Sequence, residues 1–336
     1  MRQVAARTVD FRVGERNVFL HVLTACNLAC RHCYINPGQH GSSAISRETM
    51  AEWLALFAAP DRETNLILLG GEPTLHPDLA FGIRTAREFG YASVTVDTNG
   101  FLFHDFLERV SPADLDYLSF SLDGPSAVVN DPIRGAGVFA TCTANLCKAV
   151  ARGFNVSLIY TVSRHNIDFL PQMPALLAEW GVQRFFIQVI GLRGKTAQGQ
   201  AGDWQLSPEE WLAVVPAVAR RAAELGVVAV FPKVFLASDE DFSCAGRVAE
   251  NYFVFPNGRV YVCPLCEDYP INAFRIEAGQ LVRNSGLTEE RFFSLDIPEG
   301  CVMSRLLQPA NLGHSPDGRP LHRISCCLLK QEMKRS

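Results

Sequence analysis

Val18-Phe19-Leu20-His21-Val22-Leu23-Thr24-Ala25-Cys26-Asn27-Leu28-Ala29-Cys30-Arg31-His32-Cys33-Tyr34 joins a short apolar run to three cysteines at Cys-x3-Cys-x2-Cys spacing. Residues 18–23 have strand length and an apolar, β-branched content. The cysteines begin where that strand must give way to a loop. Their number is informative. Four thiolates close a zinc site or saturate a cubane cluster, whereas three in one loop hold a [4Fe–4S] cluster by three irons and leave the fourth open.

Working outward, similar apolar runs recur at residues 65–69, 92–96, 117–122, 155–161 and 184–190. Counted from residue 18, their starts lie 47, 27, 25, 38 and 29 residues apart, room each time for a helix and two loops. Helical periodicity fills the gaps at 46–59, with Ser46 as cap, and at 78–89, 138–152 and 169–180. Gly153 and Gly181 end the last two. Strands too apolar to be wet on one face argue a parallel sheet, and six βα units predict an α/β fold, an open, partial (β/α)6 version of the TIM-like barrel. Cys26–Cys33, Gly70–Pro73, Asn99-Gly100 and Asp123-Gly124 each fall just past a strand C-terminus, the rim where β/α barrels carry their sites.

The cysteine spacing, with an aromatic residue (His32) before the last cysteine, and Gly70-Gly71-Glu72-Pro73 together resemble the radical S-adenosylmethionine (SAM) superfamily. The resemblance implies a cluster on Cys26, Cys30 and Cys33 whose open iron takes the amine and carboxylate of SAM. It implies reductive cleavage to a 5′-deoxyadenosyl radical that abstracts hydrogen from unactivated carbon. It assigns Gly70, Gly71, Glu72 and Pro73 to the SAM amino group and His32 to the neighbourhood of adenine. Asn99, Ser121 and Asp123 are strand-end polar groups suited to ribose hydroxyls or the SAM amine, and Arg134 suits the SAM carboxylate. Taken singly, the same residues have plainer readings. The glycine segment is a turn signal, Asn99 and Asp123 cap or turn, and Arg134 is a surface residue. The three cysteines with His32 can also belong to a zinc site. His21 reads as a core histidine, and Cys142 and Cys147 as small buried hydrophobes in a helix.

Six more cysteines follow residue 240: Cys244, Cys263, Cys266, Cys301, Cys326 and Cys327. Residues 251–262 read as a hairpin turning at Pro256-Asn257-Gly258, and Glu277-Ala278-Gly279-Gln280 signals a second turn. Cys244-x13-Gly258-x4-Cys263 resembles the opening of the SPASM and twitch extensions, which implies one auxiliary [4Fe–4S] cluster. Cys244 and Cys263 lead the ligand set, and Cys266, Cys301, Cys326 and Cys327 compete for the remaining places. A zinc knuckle is the plainer alternative. The composition change near 191–206 reads as a linker, with Ser207-Pro208-Glu209-Glu210 opening a capped helix. The expected division is a radical SAM core over 1–205 and an auxiliary-cluster domain over 206–336.

The chain has 336 residues, 48% hydrophobic and 20% charged, with net charge −4, so no basic field invites nucleic acid. No secretory signal and no membrane-length apolar run is present, and eleven cysteines without an export signal suggest reduced thiols in the cytoplasm. The expectation is an enzyme acting on a peptide, a protein or a natural-product precursor, served by a low-potential flavodoxin- or ferredoxin-like donor. With only about 17 residues before the first predicted strand, peptide recognition would fall to a separate protein. The alternatives are a small-molecule enzyme, such as one modifying a tetrapyrrole side chain, and a non-catalytic iron–sulfur sensor or scaffold.

Overall fold

The computed structural model describes residues 4–9, 11, 14–59, 61–198, 203–237, 240–241, 243–308 and 311–336. Its strands are β1 (Val4–Val9), β2 (Glu15–Leu23), β3 (Glu63–Gly70), β4 (Ser93–Thr98), β5 (Tyr117–Ser121), β6 (Val156–Val162), β7 (Arg184–Val189) and β8 (Val228–Pro232). There follow β9 (Phe235–Leu236), β10 (Glu250–Val254), β11 (Arg259–Tyr261), β12 (Phe274–Glu277), β13 (Gln280–Arg283), β14 (Arg323–Ile324) and β15 (Lys330–Arg335).

Strands β2 to β8 run side by side in chain order, all parallel. The barrel stays open. Its β8 edge pairs with β15 and then β1, and its β2 edge pairs with β10, extended by β11, β12 and β13. The six predicted strands are all present. A seventh parallel strand, β8, lies beyond the supposed linker and went unread although Val228-Ala229-Val230-Phe231 is an apolar run of strand length. Strand β1, at the edge of the sheet, is mostly exposed and shows no buried face for a pattern to register.

Alternation sorts the two faces of the sheet. Val18, Leu20 and Val22 of β2 and Val94 and Val96 of β4 join Trp53, Leu54 and Ile83 of the flanking helices in the main core. On the opposite face a polar row crosses four strands. Asn17 donates to Asn251 (3.1 Å), Asn65 to Asn17 (3.1 Å) and the Ser93 hydroxyl to Asn65 (2.7 Å). A one-residue slip would break all three bonds, so the row pins the register of β10, β2, β3 and β4.

The helices follow their caps. Ser46 accepts from Thr49 N at the start of Arg47–Phe57, and Ser207 with Glu210 forms a complete capping box on Pro208–Glu224. The helix expected over 169–180 is instead a 3-10 turn, Ile167–Gln172, followed by a short helix, Met173–Glu179. Pro171 and Pro174 remove the amides that a continuous α-helix would need. The hairpin through Gly258 forms between β10 and β11, and Ala278-Gly279 turns β12 into β13. No helix among the described residues is long and apolar enough to cross a membrane.

Candidate active site and second cysteine centre

The cysteine loop leaves β2 at the barrel rim and is fastened there by backbone. Gly71 N donates to Leu23 O and Glu72 N to Ala25 O, each at 2.9 Å. A Cβ on Gly71 would stand 2.1 Å from Ala25 O, and one on Gly70 2.2 Å from Leu23 O. The two glycines are therefore required by the close approach of the loop's own root, whatever else this segment binds.

Glu72 is buried and tied on every side. It accepts from Thr74 N (3.1 Å), the Thr74 and Thr98 hydroxyls (2.6 and 2.7 Å) and Asn99 N (2.6 Å). Burial raises its pKa against the pull of those donors. Pro73 opens a 3-10 turn, Pro73–Leu75, capped by Glu72. The rim of β3 is thereby locked to that of β4.

All eleven cysteines are free thiols. Cys26 is exposed, Cys30 and Cys33 are partly exposed, and the three are electrostatic neighbours. Burial pushes the Cys26 thiol up to about 11, so binding a metal must displace its proton. Asn99 donates its side-chain amide to Cys26 Sγ at 3.6 Å and to Asn27 Oδ1 at 3.0 Å. The Cys30 thiol faces the Arg134 carbonyl at 3.8 Å. Three free thiols on one loop at an open rim fit a cluster held by three cysteines. Among the described residues, no three His, Cys, Asp or Glu side chains converge on a single metal-ion position.

Behind the loop, Asp123 is fully buried and gathers a cation and an imidazole. Arg134 Nε lies 2.6 Å and His32 Nε2 3.0 Å from Asp123 Oδ2, while Thr161 N donates to Oδ1 at 2.8 Å. Burial alone would raise the Asp123 pKa, but Arg134 and His32 hold it well below the usual carboxylate range. Arg134 is thus an interior ion-pair partner and not a surface residue. Its Nε side is turned to Asp123. His32 stands nearly parallel to Trp204 (17°, ring centroids 6.4 Å apart), and Arg31 lies over the same indole at 5.1 Å. The hydroxyl of Ser121 lies at the end of β5, whose carbonyl faces the buried Cys142 thiol. Beside the loop, an open groove of about 380 Å³ runs between Asn27–Leu28 and Ile133–Arg134.

His21 is a core residue, as its strand position suggests. It stacks on Phe255 at 4.0 Å, its Nε2 meets the Tyr34 hydroxyl at 2.8 Å, and burial holds its pKa near 3. Cys147, expected to be buried, is exposed; Cys142 is the buried one.

The C-terminal cysteines form a second centre. Cys244, Cys263, Cys301, Cys326 and Cys327 ring a cavity of about 50 Å³ whose other walls include Leu265, Phe292 and Met303. The Cys244 thiol has Cys326, Cys301 and Cys263 as electrostatic neighbours. Cys266 lies outside the ring, buried and hydrogen-bonded to Cys263 and Glu289. Glu289, unsuspected from sequence, accepts from Val262 N (2.7 Å), Cys263 N (3.1 Å) and Ala273 N (3.2 Å), and burial raises its pKa to about 8. It is the clamp of the Cys263 turn.

The stretch that read as a linker also has a role here. Residues 199–202 lie outside the described residues, but Arg193, Gly194 and Lys195 are laced to both cysteine centres. Asp97, likewise unread, faces inward from β4 and takes a hydrogen bond from Ser119 of β5. Burial raises its pKa to about 7.

A pre-heme d1 synthase of Dinoroseobacter shibae is 32% identical over 196 residues, 55% of this chain and 46% of that protein. A mycofactocin maturase MftC of Mycobacterium ulcerans is 28% identical over 260 residues, 71% of this chain and 66% of that protein. The chain therefore spans about half to two thirds of the length of these curated relatives. Streptococcus suis SuiB bound to its precursor peptide SuiA shares the fold, with a TM-score of 0.62 at 14% identity over 80% of this chain and 63% of that one. The profile of the Radical SAM superfamily matches from within β2 to the 3-10 turn after β6, across all the rim motifs described above: residues 20–172 form a domain of the radical SAM superfamily.

Proposed function

We propose that this chain is a radical SAM enzyme that modifies a peptide or protein and carries one auxiliary [4Fe–4S] cluster. The observation that carries the reading is the pairing of two thiol centres: Cys26, Cys30 and Cys33 on the rim, and a ring of five cysteines in the C-terminal part. SAM, when bound and reductively cleaved, supplies a carbon radical able to take hydrogen from unactivated carbon. The residues present can hold it. Arg134 borders the open groove beside the loop, and His32 with Trp204 offers flat surfaces nearby. For the auxiliary cluster we assign Cys244, Cys263, Cys301 and Cys326, which border one cavity and in which Cys244 and Cys326 are each electrostatic neighbours of the other three. Cys327 borders the same cavity and Cys266 supports Cys263.

Peptide modification draws support from the maturase relative and from the fold shared with SuiB. A small-molecule substrate, such as a tetrapyrrole, is the second reading, favoured by the synthase relative. In either case a low-potential donor of flavodoxin or ferredoxin type feeds the first cluster, and a separate protein can present the peptide. Eleven free thiols suit a cytoplasmic setting.

Anaerobic reconstitution tests this. The expected result is about eight irons per chain, falling to about four when Cys244 or Cys301 is replaced by Ala and unchanged for Cys266→Ala. Reduced protein should convert SAM to 5′-deoxyadenosine, with mass spectrometry identifying a modified peptide from candidate precursors. Four irons with one zinc defeats the auxiliary cluster. Intact SAM would leave the sensor reading. A modified tetrapyrrole in place of a peptide would select the second reading.

A further inference from the structure

Residues 193–195 lie between the two cysteine centres and bond to both. Toward the first, Lys195 N donates to Cys33 O at 3.0 Å and Lys195 Nζ to Cys30 O at 3.0 Å. The Arg193 guanidinium lies over the ring of Tyr34, the residue after Cys33, 4.7 Å from its centroid. Toward the second, Arg193 Nη1 donates to the carbonyl of Pro264, the residue after Cys263, at 2.7 Å and meets Glu267 Oε2 at 3.1 Å. Gly194 N donates to Asp268 Oδ2 at 2.8 Å, and Asn36 reaches the other oxygen of that carboxylate at 3.0 Å. No larger residue fits in the middle: a Cβ on Gly194 would meet Cys33 O at 2.4 Å, at a φ of +56°.

One side chain therefore touches the neighbours of Cys33 and of Cys263 at once. Both neighbours are held from elsewhere as well. Tyr34 is hydrogen-bonded to His21, and the Cys263 amide is clamped by Glu289. Glu267 is almost wholly buried, and burial raises its pKa to about 8 against the pull of Arg193, its ion-pair partner at 3.1 Å. A guanidinium can stack on a ring and donate in its own plane at the same time, which an ammonium cannot do. The contact set is specific to arginine.

We propose that Arg193 is a positioning residue that couples the two centres: with the second centre filled, the Cys263 turn is fixed, and Arg193 passes that rigidity to the Cys30–Cys33 half of the first loop, holding it ready for SAM. The proposal rests on the reading of both centres as cluster sites. It involves no transfer of atoms or electrons. The link is mechanical, two networks sharing one member, and its signature is non-additivity.

The experiment is a double-mutant cycle on the reconstituted protein. SAM binding is read from the shift it produces in the electron paramagnetic resonance of the first cluster. Arg193→Met is combined with Cys263→Ala, and with Cys244→Ala as a second way to empty the C-terminal centre should the first variant fold poorly. Each single change is expected to weaken SAM binding by about tenfold, the scale of losses from outer-shell partners of metal sites. The double variant should be no weaker than Arg193→Met alone, and Arg193→Lys should recover only part of the loss. In protein free of iron, hydrogen exchange at Cys33 and Lys195 should quicken in Arg193→Met with circular dichroism unchanged. Additive losses, or SAM binding and exchange both untouched by Arg193→Met, would overturn the coupling while leaving the proposed function standing. A wild-type protein that loads no second cluster would overturn both.

Discussion

The side-chain amide of Asn99 donates to the sulfur of Cys26 across 3.6 Å, so a residue at the end of β4 acts on a thiol at the end of β2. Hydrogen bonds to cluster sulfurs and their ligands stabilise the reduced, more negative state and raise the reduction potential. Asn99→Ala should lower the potential of the first cluster, on the order of tens of millivolts, with iron content unchanged. Potentiometric titration followed by electron paramagnetic resonance measures this. An unchanged potential would show that the amide serves the loop's geometry through Asn27 alone.

Gly71→Ala tests the fastening of the same loop. The added methyl meets backbone, Ala25 O and Thr24 O, and no side chain is there to swing aside. Overpacking of this kind costs about 1–3 kcal/mol, and the strain falls on the residues just before Cys26. The expected outcome is a modest drop in melting temperature with selective loss of the first cluster, from about eight irons to about four. Loss of the C-terminal iron instead would place the strain elsewhere.

The sequence was legible where one kind of residue served one purpose. Ser46, the Ser207–Glu210 box and the turn at Gly258 act through local geometry, and local geometry is what spacing encodes. The cysteines stood out because thiols are scarce and their spacing is chemical. Asp97, Glu289 and Arg193 were not legible. Each works through a partner on another strand or loop, and nothing near Arg193 in the chain announces Tyr34 or Pro264. Arg134 misled for the same reason: its meaning depends on Asp123, eleven residues away in sequence and 2.6 Å away in space.

Arg134→Met should expose the cost of that arrangement. It leaves a fully buried carboxylate with His32 as its remaining side-chain partner. Breaking a buried pair from one side costs about 3–5 kcal/mol. The sign of the pH dependence follows from the depressed Asp123 pKa. The pair's stabilisation is present above the unfolded-state value of about 4 and is lost as pH falls below it. Urea unfolding of iron-free protein should therefore show a large wild-type advantage at pH 7 that shrinks toward pH 3. An advantage independent of pH would mean that Arg134 stabilises by packing, not by charge.

Asp97 carries the opposite sign. It lies on the inward face of β4, and its acceptors receive the Ser119 hydroxyl, a neutral donor, while the nearby Glu72 carboxylate opposes ionisation. Burial, the larger cause, raises its pKa to about 7, so the folded state keeps a proton that the unfolded chain releases near pH 4. Stability must then fall as pH rises through that window, because the folded form binds more protons there. The full shift corresponds to about 4 kcal/mol, reduced because the residue is partly open to the barrel interior. Asp97→Asn keeps the shape and removes the proton. In iron-free protein it should be close to wild type near pH 4 and more stable by about 1–3 kcal/mol at pH 8. Equal pH profiles for the two proteins would mean that water entering the open barrel solvates this carboxylate as well as bulk solvent does.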